Sequence, residues 1–159
     1  MHTTAALVFT TVFAALYTAH LVGDHWVQST AQSLAKGRPG AVGRWACTRH
    51  VLTLTATKAL VLAPVALVLD LPLTVAGLAL GLGLDALSHW WCDRRFTLER
   101  LARLVGRSEF YALGTGAHPL HPVTAKGEPA AHMGMGSYQL DQSFHVLFLL
   151  AASLIIATV

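Results

Sequence analysis

The sequence predicts an all-α integral membrane protein, a bundle of four transmembrane helices with a short amphipathic helix and a long cytoplasmic loop. Three observations predict it. Of the 159 residues, 54% are hydrophobic and only 12% charged, whereas a soluble domain carries roughly 25% charged residues. Four apolar stretches approach the ~20 residues that a bilayer core demands of a helix. Lysine and arginine gather in two of the three linkers between those stretches, the asymmetry that orients membrane proteins.

The four stretches lie at about 4–26, 46–69, 71–93 and 138–159 in what reads as one transmembrane domain. The first lacks a basic leader region and ends in a polar pair that later stretches echo, so it reads as a retained helix and not a cleaved signal. Asp70, Leu71 and Pro72 form a tight turn between the second and third. Pro72 suits a first helical turn, where its missing N–H costs nothing, and Pro64 inside the second helix is a candidate kink. The linker at about 28–45 holds Lys36, Arg38 and Arg44. The linker at about 96–137, with its approach, holds Arg94, Arg95, Arg100, Arg103, Arg107 and Lys126. The Asp70 turn and the two ends have no Lys or Arg. Both long linkers are therefore expected in the cytoplasm and both termini outside, in a bacterial inner or plasma membrane. All four tryptophans (Trp26, Trp45, Trp90, Trp91) fall at that basic end, as an interfacial belt would. Residues 97–105 pattern as a short amphipathic helix, with Leu98, Leu101, Ala102 and Val105 on one face, suited to the membrane surface. Residues 114–136 read as an irregular loop.

The ionisable residues within the apolar stretches fall into a pattern. His20 and Asp24 close the first, His50 opens the second, Asp85, His89 and Asp93 close the third, and Asp141 and His145 open the fourth. Three stretches thus carry a His and an Asp four residues apart, on one helix face about 6 Å apart along the axis. An up-down bundle brings all of these ends to one side, the side that the charge asymmetry independently assigns to the cytoplasm. Carboxylates and imidazoles converging near hydrocarbon are costly and mutually repulsive unless a cation joins them. A divalent metal, zinc foremost, suits that donor set, and the donors suffice for one or two ions. A His/Asp proton relay is the competing account. Each pair taken alone is more commonly an interfacial polar cap.

Lys58 stands eight residues past His50, ~12 Å deeper. Asp85, one turn deeper than His89, is its expected partner, and snorkelling is the alternative. Cys47 and Cys92 match no disulfide framework and read as reduced thiols, Cys92 being a soft ligand in the alternative. His118, His121 and His132 read as loop histidines, and His2 and His25 as terminal and interfacial.

The segments A-H-L-V-G-D-H-W-V-Q-S, H-W-W-C-D-R-R and L-D-Q-S-F-H resemble a family of small bacterial and phage four-helix membrane proteins across essentially the whole chain. Its pattern is H-x-x-x-D with a following Gln, a His opening the second helix, H-x-x-x-D with a basic residue, and D-Q-x-x-H. The resemblance implicates His20, Asp24, Gln28, His50, His89, Asp93, Asp141, Gln142 and His145. Asp85 lies outside that pattern. Thr53 and Leu54 stand where the family has a further polar or His position after His50. The family is similar to membrane-bound metal-dependent hydrolases, which implies metal-assisted hydrolysis of a lipid or lipid-linked substrate at the cytoplasmic interface. His20, Asp24, His50, His89, Asp93, Asp141 and His145 are then the expected ligands, with Asp24 or Asp93 as general base. No GxSxG or HExxH motif is present. Two other functions fit the residues: a divalent cation or proton transporter or sensor, and a non-catalytic metal-stapled membrane or phage factor. Membrane lipids are the expected partners, an oligomer is compatible with the sequence, and nucleic acid is not expected.

Overall fold

The computed structural model describes residues 2–114 and 135–159; His118, His121, Lys126 and His132 lie outside them. Most of the described residues are helical, in seven α-helices: α1 (His2–Val22), α2 (Thr30–Ala35), α3 (Gly40–Val68), α4 (Val75–Asp93), α5 (Phe96–Leu104), α6 (Ser108–Ala112) and α7 (Gly136–Thr158). Three segments, Thr4–Val27, Gly40–Val68 and Gly136–Thr158, are long and apolar enough to cross a membrane. α4 lies outside that set; Asp85, Ser88, His89 and Asp93 occupy its second half.

The bundle has its polarity inverted. Leu60, Leu67, Leu80, Leu87 and Leu147 on the long helices are exposed, whereas His20, His50, Lys58 and His89 are fully buried. In water such a surface would be a liability; in lipid it is the solvated face. An apolar core of Val8, Val12, Leu16, Leu62, Leu149 and Ile156 fills the end of the bundle away from the histidines.

The helices differ from expectation chiefly at their ends. The linker expected at 28–45 is largely helical. Ser29 caps α2 with a capping box: Gln32 N–H donates to Ser29 Oγ (3.2 Å), and Ser29 N–H donates to Gln32 Oε1 (2.9 Å). α3 then begins at Gly40, which adopts φ 78°, and runs on unbroken through Pro64. Pro72 is not in a helical turn. Residues 71–74 are non-helical, and Thr74 caps α4 by accepting from Gly77 N–H (2.9 Å). The amphipathic helix is present as α5, one residue earlier than expected, with Leu98 and Ala102 buried but Val105 exposed.

α4 and α7 run antiparallel at close quarters. Gly77 and Gly81 face Ala152 and Ile156 of α7; a Cβ at Gly81 would stand 2.8 Å from the Ala152 carbonyl oxygen. Such small-residue contacts let helix backbones approach. This crossing sets His89 and Asp93 at the end of α4 beside Asp141 and His145 at the start of α7.

Candidate metal centre

Each donor reaches the centre by a local device. α1 ends in a single π-helical turn, Gly23–Val27, closed by Gln28 N–H donating to Gly23 O (2.9 Å). Such bulges re-aim side chains, and this one carries Asp24. His50 comes from about three turns inside α3, and His89 and Asp93 from successive turns of α4.

All seven expected ligands converge. Asp24 Oδ1 lies 3.3 Å from His50 Nε2 and 3.8 Å from His89 Nε2. His50 Nε2 and His89 Nε2 are 3.2 Å apart. Asp93 Oδ2 lies 3.3 Å from His50 Nε2 and 3.4 Å from His89 Nε2. These are five of the six pairs among four donor atoms, and donors around a zinc ion stand about 3.3–3.5 Å apart. The donor set therefore fits a divalent ion in size as well as chemistry. Beside it lies a second, looser compartment: His145 Nε2 is 3.5 Å from Asp141 Oδ2 and 3.8 Å from Asp93 Oδ1. Among the described residues, the Nδ1 atoms of His20, His50, His89 and His145 are buried without hydrogen-bond partners. Each orphan costs about 1–3 kcal/mol; His145 Nε2 is likewise buried without a hydrogen-bond partner, whereas the Nε2 atoms of His20, His50 and His89 face polar groups of the cluster.

His20 joins the cluster at its edge, with Nε2 3.7 Å from Asp24 Oδ2. Its Nε2 is 3.2 Å from Gln142 Oε1, an acceptor only, so that nitrogen carries the proton and donates. His20 is thus placed to orient Gln142, whose Nε2 donates to Asp141 Oδ2 (3.3 Å) and Asp24 Oδ2 (3.5 Å). Cys92 is buried and its thiol donates to Asp141 Oδ1 (3.4 Å). One turn below His89, Lys58 Nζ meets Asp85 Oδ2 at 2.5 Å with both side chains buried, the ion pair expected from spacing alone.

Sequence reasoning missed Lys36 and Arg94, treated there only as linker charges. Lys36 Nζ lies 2.8 Å from Asp93 Oδ1. Burial opposes its charge, but Asp93 and Asp24 more than offset this and raise its pKa, so it remains an ammonium. Arg94 is buried; it donates from Nη1 to Lys36 O (2.7 Å) and from Nη2 to Arg38 O (2.6 Å), tying down the loop that presents Lys36. The only available signal was a basic residue immediately after H-x-x-x-D.

A cavity of about 540 Å³ opens onto the centre, walled by Asp24, Asp93 and Asp141 at its base and by Lys36, Arg95 and Tyr138 around it. His25 is placed at this mouth, with Nδ1 on Leu21 O (2.8 Å) and Nε2 on the Tyr138 hydroxyl (3.0 Å). Leu98 forms part of the cavity wall and also lines an apolar groove between α5 and α7, with Leu101, Phe144 and Leu147. Comparisons with protein-family models, curated proteins and solved structures find no match.

Proposed function

We propose that the chain is a multi-pass protein of the inner or plasma membrane that holds a divalent metal, zinc by preference, and hydrolyses a lipid or lipid-linked substrate at the cytoplasmic interface. One observation carries the metal: His50, His89, Asp24 and Asp93 present four buried donor atoms, each histidine nitrogen 3.2–3.8 Å from the other three. Both termini lie outside in this reading. α4 is the fourth span; its 19 residues extend ~28 Å, close to the ~30 Å hydrocarbon core.

The division of labour follows from position. His50, His89 and Asp93 are buried and hold the ion. Asp24 makes the longest of these contacts, 3.8 Å to His89, and its side chain is the more exposed of the two carboxylates, 8% against 1% for Asp93, so it is the general base. An ion held there polarises a carbonyl or phosphoryl oxygen and lowers the pKa of water. Arg95, beside the cavity, attracts an anionic headgroup, while the α5–α7 groove beyond Leu98 accepts the attached chain. Transport is disfavoured, because the apolar core of Val8, Val12, Leu16 and Leu149 closes the bundle beyond Lys58.

The test is metal analysis of the detergent-purified protein with a hydrolysis assay over phospholipid and lipid-phosphate substrates. Stoichiometric metal is expected in the wild type and its loss in His50→Ala and His89→Ala. Asp24→Asn should retain the ion while hydrolysis falls by ~10²-fold or more. A wild-type protein that binds no metal overturns the reading. A second reading rests on Asp24 Oδ1, 3.3 Å from His50 Nε2, acting as a fourth ligand: a closed four-ligand site is the structural kind. Its mark is a stabilising ion that Asp24→Asn releases, with no hydrolysis by either protein.

A further inference from the structure

The donors outnumber the needs of one ion, and Asp93 divides them. Its Oδ2 faces the His50 and His89 nitrogens, at 3.3 and 3.4 Å. Its Oδ1 faces the compartment of His145 and Asp141, as the second oxygen of a bridging carboxylate would in a two-ion centre. That oxygen is already taken, since Lys36 Nζ lies 2.8 Å from it.

We propose that the centre takes a single divalent ion, in the His50–His89–Asp24–Asp93 compartment, and that the Lys36 ammonium is its built-in second cation, keeping a second ion out of the His145–Asp141 compartment. The inference rests on the metal reading above and fixes its stoichiometry. Three independent features support it. The first is charge. Asp24, Asp93 and Asp141 bring three negative charges into a buried cluster, and Lys36 returns one. A second divalent ion brought to Asp93 Oδ1 would meet the Lys36 ammonium 2.8 Å from that oxygen, and burial makes such like-charge crowding costly. The second is occupancy. Both oxygens of Asp141 accept hydrogen bonds, Oδ1 from Cys92 (3.4 Å) and Oδ2 from Gln142 (3.3 Å). The third is construction. Lys36 is not a wandering side chain: its N–H donates to Gln32 O (2.9 Å), its carbonyl is held by Arg94, and the residue is 8% exposed.

Lys36 is therefore a positioning residue, acting through Asp93. It holds one carboxylate oxygen so that the other stays aimed at the ion. The charge matters and the exact side chain less, so Lys36→Arg and Lys36→Gln separate the two contributions.

The test loads purified full-length protein with Zn²⁺, removes the excess by desalting, and counts ions per folded chain. Wild type should hold one, Lys36→Arg one and Lys36→Gln two. His145→Ala should still hold one, because its compartment is not the loaded one. Two ions in the wild type would overturn the proposal while leaving the metal reading intact. So would Lys36→Gln holding one, or loss of the ion in His145→Ala. No ion in the wild type would overturn both. If Lys36→Gln does not fold, the wild-type count and the His145→Ala count decide the matter.

Discussion

Lys58 and Asp85 show what a single buried pair contributes and what it does not. The two meet at 2.5 Å with no exposed surface to speak of on either side chain. Their attraction offsets a desolvation cost of the same order, so the pair as a whole adds little, but either charge alone is expensive. Lys58→Met should therefore destabilise the protein by about 3–5 kcal/mol. Replacing both, as Lys58→Met with Asp85→Leu, should restore wild-type stability or exceed it. Unfolding in mixed micelles by denaturing detergent measures this; a double variant as weak as the single one would show that the pair is not the cause. The pair was legible in the sequence because a lysine two turns past His50 in an apolar helix has few places to go. Lys36 was not legible in the same way. Its linker is basic throughout, and nothing in the order of residues distinguishes the lysine that turns inward from its neighbours Arg38 and Arg44.

At the scale of elements, the centre depends on two helices approaching more closely than leucine side chains would allow. Gly77 and Gly81, one turn apart on α4, present bare backbone to Ala152 and Ile156 of α7. In lipid, where burying apolar surface gains nothing over leaving it among acyl chains, such close packing is a main source of helix association. Gly81→Ala places a methyl 2.8 Å from the Ala152 carbonyl oxygen and 2.5 Å from Ile156 Cγ1. The side chain can turn away; the carbonyl cannot without moving α7. A loss of about 1–3 kcal/mol is expected, together with weaker metal binding, since Gln142 of α7 donates to Asp24 (3.5 Å). Gly83→Ala is the control: a Cβ there meets nothing within 4 Å, and the exchange should be neutral or mildly stabilising through helix propensity. Thermal unfolding of the two variants with and without Zn²⁺ reads both effects, and equal behaviour would remove the crossing as an explanation. The helices themselves were legible from hydropathy, and the i, i+4 pairs placed the donors on them. The boundaries were less so. Hydropathy reports where lipid contact ends, whereas Ser29, Gly40 and Thr74 decide where the backbone starts to coil. The π-helical turn at Gly23–Val27 has no hydropathy signature at all.

At the scale of the molecule, the convergence of seven distant residues rests on one geometrical fact: alternating helices return to the same side. The sequence carried that inference because the motif ends and the basic linkers selected one side independently. In the structure the same end gathers the histidines, Lys36, Arg94 and the exposed Trp26 and Trp45, while the far end is an apolar core. Whether this end faces the cytoplasm is a question of charge and not of packing. Lys36, Arg38 and Arg44 before α3, with Arg94, Arg95, Arg100, Arg103 and Arg107 after α4, would each resist translocation. The turn at Asp70 offers no opposing cation. A periplasmically active reporter such as alkaline phosphatase, fused after Val159 or inserted at Asp70, should therefore be active, and one inserted at Gly106, where a Cβ meets nothing within 4 Å, should be silent. A fluorescent protein that matures only in the cytoplasm should give the reciprocal pattern. Activity at Gly106 would place the metal centre on the outer face, and with it the substrate and the supply of the ion. Activity at only one of the Val159 and Asp70 positions would mean that α4 and α7 do not both cross.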